Sequence, residues 1–258
     1  MRRIACVLVL LALASTARAA GIALRWSTCD GPANRSFACD KSTGAEMLVG
    51  SFDPPGGISQ LSGIEAIVSI AAADGSVPSW WQMFEAGNCR RGSMTSSFDV
   101  SDQSACDDPW NGAATIGGMG AAAQTRVSWY NVGAPAGVDL FLAAAVAPSA
   151  IQGVSSGRTY AAFKLMINHQ KSNGAGACGG CDVPMCITLD AIRLVQPGRH
   201  GDADGNNKGT INTDLTDGIG GIGGSSQVAT WQGGTPNCGA GLSKPSTWSE
   251  LKSRFKSK

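Results

Sequence analysis

The stretch that decides the fold class is Tyr160-Ala-Ala-Phe-Lys-Leu-Met-Ile-Asn-His169. From Phe163 onward its odd positions form an apolar face, whereas Lys164 and Asn168 stand on the opposite side. Alternation with a period of two residues is typical of a β-strand with one buried face. We therefore expect this segment to lie in a sheet that packs on a hydrophobic core.

The rest of the chain repeats this pattern. Further strands are predicted for the segments Ile22–Trp26, Ala45–Phe52, Leu61–Ala72, Arg126–Val132, Val138–Val146 and Met185–Val195. Clusters of Gly, Pro, Asn, Asp and Ser separate them, as in meander and Greek-key proteins. Glutamate is scarce, which disfavours a helix bundle. The sequence predicts an all-β protein, an antiparallel β-sandwich of jelly-roll or Greek-key type with long Gly-rich loops.

Two short helices are also expected. Ser79–Ala86 is predicted to form a one-turn helix, with Ser79 as its N-cap. Thr247-Trp-Ser-Glu250 fits a capping box and precedes apolar residues at i and i+4. A short C-terminal helix is therefore expected after Thr247.

Two strands carry a family resemblance. Cys186-Ile-Thr-Leu-Asp-Ala-Ile-Arg-Leu194 resembles the closing strand of jelly-roll sandwiches such as carbohydrate-binding modules. The spacing of Tyr160, Phe163, Leu165 and Ile167 resembles a strand of cohesin-type sandwiches. As a whole the chain resembles exported bacterial proteins with such a sandwich, a group without an assigned activity. The resemblance implies the sandwich fold and transfers no functional residue.

The N-terminus reads as an export signal. Met1-Arg-Arg3 precedes an apolar run from Ile4 to Ala14, and Ala17-Arg-Ala19 offers a cleavage site before Ala20. The run is shorter than the roughly 20 residues that span a bilayer. We expect residues 1–19 to be removed and the protein to be periplasmic or extracellular, without a membrane span.

The mature chain is predicted to have three parts. Residues 20–198 form the sandwich domain, 199–226 a Gly/Asp-rich loop, and 227–258 a docked C-terminal segment of one strand and the short helix. Without Arg2, Arg3 and Arg18 the chain has 17 basic and 19 acidic residues. A net charge so close to zero does not predict the basic surface that nucleic-acid binding needs.

Eight cysteines remain in the mature chain, and an even number in an exported protein predicts disulfides. We expect local bonds Cys29–Cys39 and Cys89–Cys106. The knot of Cys178, Cys181 and Cys186 is expected to hold the C-terminal segment through Cys238, with the pairs Cys178–Cys186 and Cys181–Cys238. The alternatives for this knot are a zinc site or a redox pair, which an oxidising compartment disfavours.

One loop offers candidate metal ligands. Asp202, Asp204 and Asn206 place oxygen side chains at alternate positions, as in calcium loops. A second repeat and the exit helix are missing, and the spacing of the last carboxylate departs from the pattern. A solvated loop is therefore favoured and calcium is the alternative; no other cofactor is expected.

The seven tryptophans suggest a ligand surface or an aromatic core. Trp80 and Trp81 are candidates for stacking on a carbohydrate, and packing in the core is the favoured alternative. A hydrolase triad would combine Ser155 of Gly-x-Ser-x-Gly with His169 or His200, but the helix that this motif needs is not predicted.

Three functions are weighed. The first is an exported non-catalytic binding or envelope-associated module, with a carbohydrate or a surface protein as ligand. The second is a structural or assembly component of the cell surface, which a free edge strand would favour. The third is a secreted hydrolase directed at glycans or esters, although no catalytic residue is assigned. The oligomeric state is left open.

Overall fold

The structure, a computed structural model, describes residues 20–72, 77–124, 137–197, 210–215 and 227–233. These ranges contain short 3₁₀ turns at Ser79–Trp81 and Pro148–Ala150 and no helix of seven residues or more. Their strands are β1 (Gly21–Trp26), β2 (Asn34–Arg35), β3 (Ala45–Asp53), β4 (Gly63–Ala72), β5 (Met94–Ser97), β6 (Thr115–Gln124), β7 (Gly137–Val146), β8 (Tyr160–Asn168), β9 (Met185–Pro197), β10 (Thr210–Leu215) and β11 (Val228–Trp231).

The strands form two sheets. The small sheet has the order β1-β3-β8-β5, and the large sheet has the order β2-β11-β9-β4-β7-β6, with β10 also paired to β9. Every pairing between these strands is antiparallel except the short parallel contact of β11 with β2. The architecture is that of a β-sandwich, as expected, whereas the jelly-roll type and the C-terminal helix stay predictions.

Apolar side chains that alternate along the strands form the core between the two sheets. In β8, Phe163, Leu165 and Ile167 are fully buried in it. In β4 nearly every residue is buried, because this strand lies between β9 and β7 in the middle of the large sheet. Its residue Ile67 packs on the outer face of the large sheet, against Ala191 and Phe141.

Some strands were not expected from the sequence. β6 is rich in Gly and Ala and therefore lacks the bulky alternation that marks a strand. β10 lies in the segment predicted to be a loop, where pairing with β9 holds it extended. The predicted strand Arg126–Val132 lies outside the described residues. The turn at Ser79 ends at Trp81, so it is shorter than expected and begins after Pro78.

The disulfide pairing differs from the expectation. The observed bonds, with Cα atoms 6.0, 5.9 and 6.2 Å apart, join Cys29 to Cys106, Cys39 to Cys181 and Cys89 to Cys178. The following predicted pairs are therefore wrong: Cys29–Cys39, Cys89–Cys106, Cys178–Cys186 and Cys181–Cys238. Packing of the sheets brings distant loops together. Cysteines that are neighbours in sequence therefore bond to partners far away in the chain and not to each other.

Cys186 is disulfide-bonded as well, so all seven cysteines of the described ranges are oxidised. Cys238 lies outside those ranges, and its role in tying the C-terminal segment to the cysteine knot stays a prediction. The three bonds and the segments 29–39, 89–106 and 178–181 form one closed ring.

In the parts of the chain that are described, no helix is both long and apolar enough to cross a membrane.

Candidate functional site

The two candidate stacking tryptophans lie in the core. Trp80 is 0% exposed and Trp81 1% exposed. Their ring centroids are 5.1 Å apart, and each is within 5.4 Å of the Trp231 ring centroid. Neither indole presents a face to solvent, so the structure offers no support for their role in ligand stacking. The favoured alternative, packing in the core, describes their position.

This aromatic cluster encloses a buried cation. The Arg90 guanidinium carbon lies 3.4 Å from the Trp80 ring centroid, and the residue is 0% exposed. Its Nη atoms donate to the main-chain oxygens of Asn168 and Gln170 at 2.6 and 3.0 Å. Burial lowers the pKa of Arg90 to about 9. The arginine joins the 3₁₀ turn to the end of β8 and is a structural element.

Ser155 and His169, two of the residues considered for a hydrolase, are not brought together. His169 is buried, and its Nε2 lies 3.2 Å from Oε1 of Glu46. Ser155 is exposed, and its main-chain N–H donates to the Tyr160 hydroxyl. No hydrogen bond joins Ser155 to His169 in the described ranges. His200 lies outside them, so a triad of Ser155 with His200 stays untested, whereas one with His169 has no support.

The candidate calcium ligands Asp202, Asp204 and Asn206 lie outside the described residues. Within the described ranges, no group of three or more His, Cys, Asp or Glu side chains is arranged to hold a metal ion. The calcium site in this loop stays a prediction.

β6 forms one edge of the large sheet, and several of its residues are exposed. β6 pairs with β7 along ten residues without a register shift, from Thr115 opposite Val146 to Gln124 opposite Gly137. No other strand of the described ranges pairs with it. In an antiparallel pair, alternate residues direct their N–H and C=O groups away from the neighbour. The outer side of β6 therefore carries a row of main-chain donors and acceptors.

The side chains of β6 leave this edge open. Ile116 is 85% exposed, the one large hydrophobic residue of the described ranges that is exposed. Gly118 and Gly120 lie on the same face of the strand, and a Cβ atom built on either meets nothing within 4 Å. The opposite face, with Met119 and Ala121, packs against the core.

β6 also lacks the features that protect edge strands. Its sequence, Thr-Ile-Gly-Gly-Met-Gly-Ala-Ala-Ala-Gln, contains no charged residue and no proline, and its pairing has no bulge. Natural proteins use such features to prevent pairing at a free edge. The other edge strands are shorter: β1 and β10 have six residues each, β5 four and β2 two. The sequence pattern does not mark this surface as a strand, because its glycines resemble those of a loop.

Comparison with known proteins identifies no family for this chain. No protein-family model matches the chain, and no curated protein matches it. A solved structure, the cohesin module from Clostridium perfringens ATCC13124 family 33 glycoside hydrolase, aligns with a TM-score of 0.27 and 9% sequence identity. The alignment covers 77% of this chain and 98% of that one. A likeness this weak carries no argument for the fold or the function.

Proposed function

We propose that this protein is an exported, envelope-associated β-sandwich without catalytic activity, and that it acts as an assembly module that joins a second copy through β6. The observation that carries the proposal is the open edge of β6, which is long, free of charge and exposed. Addition of a strand at such an edge is a common mode of protein recognition, in which main-chain hydrogen bonds provide the affinity.

The shape of the edge favours a second copy as the occupant. If two β6 strands pair antiparallel with Gly118 opposite Gly118, residues 115–121 of both copies are matched. Ile116 of each copy then lies opposite Gly120 of the other, on the outer face. Directly opposed side chains approach within about 5 Å. The open space above Gly120 would therefore receive the exposed isoleucine of the second copy.

The expected association is reversible. A single pair of strands of this length buries less than the roughly 1,200 Å² that marks the lower limit of stable complexes. We therefore expect a dissociation constant in the micromolar range, which suits a protein concentrated in an envelope. The pairing would extend the large sheet across both copies.

The bonded cysteines support export, because disulfides persist in oxidising compartments. A carbohydrate platform has less support. The described tryptophans are all buried, namely Trp26, Trp80, Trp81, Trp110 and Trp231. A hydrolase also has less support, since His169 is enclosed by the aromatic cluster.

Sedimentation velocity on the mature protein, measured at increasing concentration, tests the proposal. The wild type is expected to shift from monomer to dimer through the micromolar range. Ile116→Lys should keep it monomeric, because two ammonium groups would be placed at the paired edge. Gly120→Val should do the same, because it fills the space for Ile116 but meets nothing in the monomer.

Thr95→Lys is the matched control. Thr95 is an exposed residue of β5, an edge strand of the small sheet, and its substitution should leave the dimer unchanged. A wild type that stays monomeric at all concentrations would contradict the proposal. A dimer that persists in both β6 variants would also contradict it.

A further inference from the structure

Asp53 is a buried carboxylate for which the fold supplies no partner. It is the last residue of β3 and is 1% exposed. Neither of its carboxylate oxygens has a hydrogen-bond partner. An ionised carboxylate in such a place costs several kcal/mol unless a cation or several donors compensate it. No hydrogen-bond donor of the described residues compensates this carboxylate.

The start of β1 lies directly beside Asp53. The pairing of β1 with β3 ends with Gly21 opposite Asp53, and Ala20 is the preceding residue. Ile22 and Phe52 point into the core, so Gly21 and Asp53 lie on the other face of the sheet. Opposed Cα atoms in an antiparallel pair are about 4.5–5.5 Å apart. Gly21 has no side chain, so the residue paired with Asp53 offers this carboxylate no side-chain partner.

Other cations on this face of the small sheet are engaged elsewhere. Arg25 Nη1 donates to the main-chain oxygen of Leu24 at 2.9 Å. Lys164 donates to Asp102 at 2.8 Å. Neither makes a hydrogen bond to Asp53, whose oxygens have no partner. Neither of these two cations of the described residues compensates Asp53, and the segment paired with it is the start of β1.

We infer that cleavage before Ala20 creates this group, and that the new α-ammonium of Ala20 forms an ion pair with the Asp53 carboxylate. The inference rests on the export part of the proposed function. A signal peptidase would hydrolyse the Ala19–Ala20 amide with one water molecule. The products are a carboxylate on Ala19 and an amino group on Ala20, which takes up a proton at neutral pH.

The ion pair links processing to the stability of the fold. In the precursor, the nitrogen of Ala20 is part of an uncharged amide and cannot form an ion pair with the Asp53 carboxylate. In the mature protein, an ammonium with three N–H donors stands one residue from the paired position. Removal of the signal would thus stabilise the first strand of the small sheet, and the precursor would be the less stable form.

The inference is tested with two forms of the protein, one beginning at Ala20 and one beginning at Ala19. Each is made with Asp53 intact and with Asp53→Asn. The thermal midpoint of the Ala20 form is expected to exceed that of the Ala19 form, and Asp53→Asn should abolish this difference. Asp182→Asn, at an exposed aspartate, is the control and should preserve it.

A second readout does not depend on stability. A carboxylate within about 4–6 Å of an ammonium raises the pKa of that ammonium by about 1–3 units. Acylation of the Ala20 amino group at pH 7, followed by mass spectrometry, should therefore be about tenfold or more slower with Asp53 than with Asp53→Asn. Equal acylation rates, or equal thermal differences in both backgrounds, would overturn the inference and leave the dimer proposal intact.

N-terminal sequencing of protein exported from the full precursor completes the test. Ala20 is the expected first residue. A different first residue would overturn the processing site, whereas β6 pairing would still stand on its own measurement. Conversely, a monomeric protein that shows the coupling between Ala20 and Asp53 would refute the assembly proposal alone.

Discussion

Removal of any one disulfide from the ring is expected to cost about the same free energy, although the bonds span very different lengths of chain. Cys29–Cys106, Cys39–Cys181 and Cys89–Cys178 close 77, 142 and 89 residues. Treated alone, the longest would stabilise the fold by about 5 kcal/mol through loop-closure entropy. The ring changes this figure, because the two remaining bonds still hold the unfolded ends together.

The effective loop is the same for each bond. With one bond removed, its ends stay joined through the segments 29–39, 89–106 and 178–181, which span 10, 17 and 3 residues, and through the other two bonds. The path is about 30 residues long. The chain-entropy relation gives about 3.6 kcal/mol for such a loop at 25 °C. Removal of a second bond should cost about 1 kcal/mol more than removal of the first, because the ring is then open and no longer joins its ends by the short path.

Urea unfolding of three variants measures this directly, each with one pair of cysteines replaced by alanine. The free energies of unfolding should fall by similar amounts, about 3–4 kcal/mol each. Losses that rise with sequence separation, or a loss below about 1 kcal/mol in any variant, would refute the ring. Peptide mapping of the oxidised wild type should recover the same three pairs and a Cys186–Cys238 peptide.

Three further substitutions test the packing and the charges. Gly50→Ala should cost about 1–3 kcal/mol in urea unfolding, because a methyl group on Gly50 overlaps the buried Phe163 ring. The hydrogen bond from Lys164 lowers the pKa of Asp102, so Asp102→Asn should cost less than about 1 kcal/mol at pH 7. That difference should vanish as the pH falls from about 4 through the lowered pKa, because residue 102 is then uncharged in the wild type as well as in the variant. Arg90→Met should cost about 2–4 kcal/mol, since two main-chain oxygens would lose their buried donor.

Each of the three substitutions has its own control or its own refuting result. Gly118→Ala has open space for its methyl group and should leave the unfolding free energy of the monomer nearly unchanged. A Gly50→Ala protein as stable as that control would refute the packing argument. An Asp102→Asn difference that persists at pH 2 would show that the effect is not electrostatic. An Arg90→Met protein with wild-type stability would show that its carbonyl partners find other donors.

Much of the sandwich could be predicted from local pattern. The alternation in β8 and the apolar run in β4 identify strands, because side chains on successive residues of a strand face opposite sides. Val228–Trp231 was expected as an added strand and pairs with β9. β6 escaped prediction because Gly and Ala side chains give no alternation to detect, although pairing with β7 makes them a regular strand.

The sequence by itself determined which residues alternate, that the cysteines are paired, and that tryptophan is abundant. Only the tertiary structure decided which cysteines meet, because disulfide pairing depends on distances across the two sheets rather than along the chain. The same holds for Trp80 and Trp81, whose burial depends on what packs over them. The open edge of β6 and the isolation of Asp53 are likewise properties of neighbours in space, which no local pattern records.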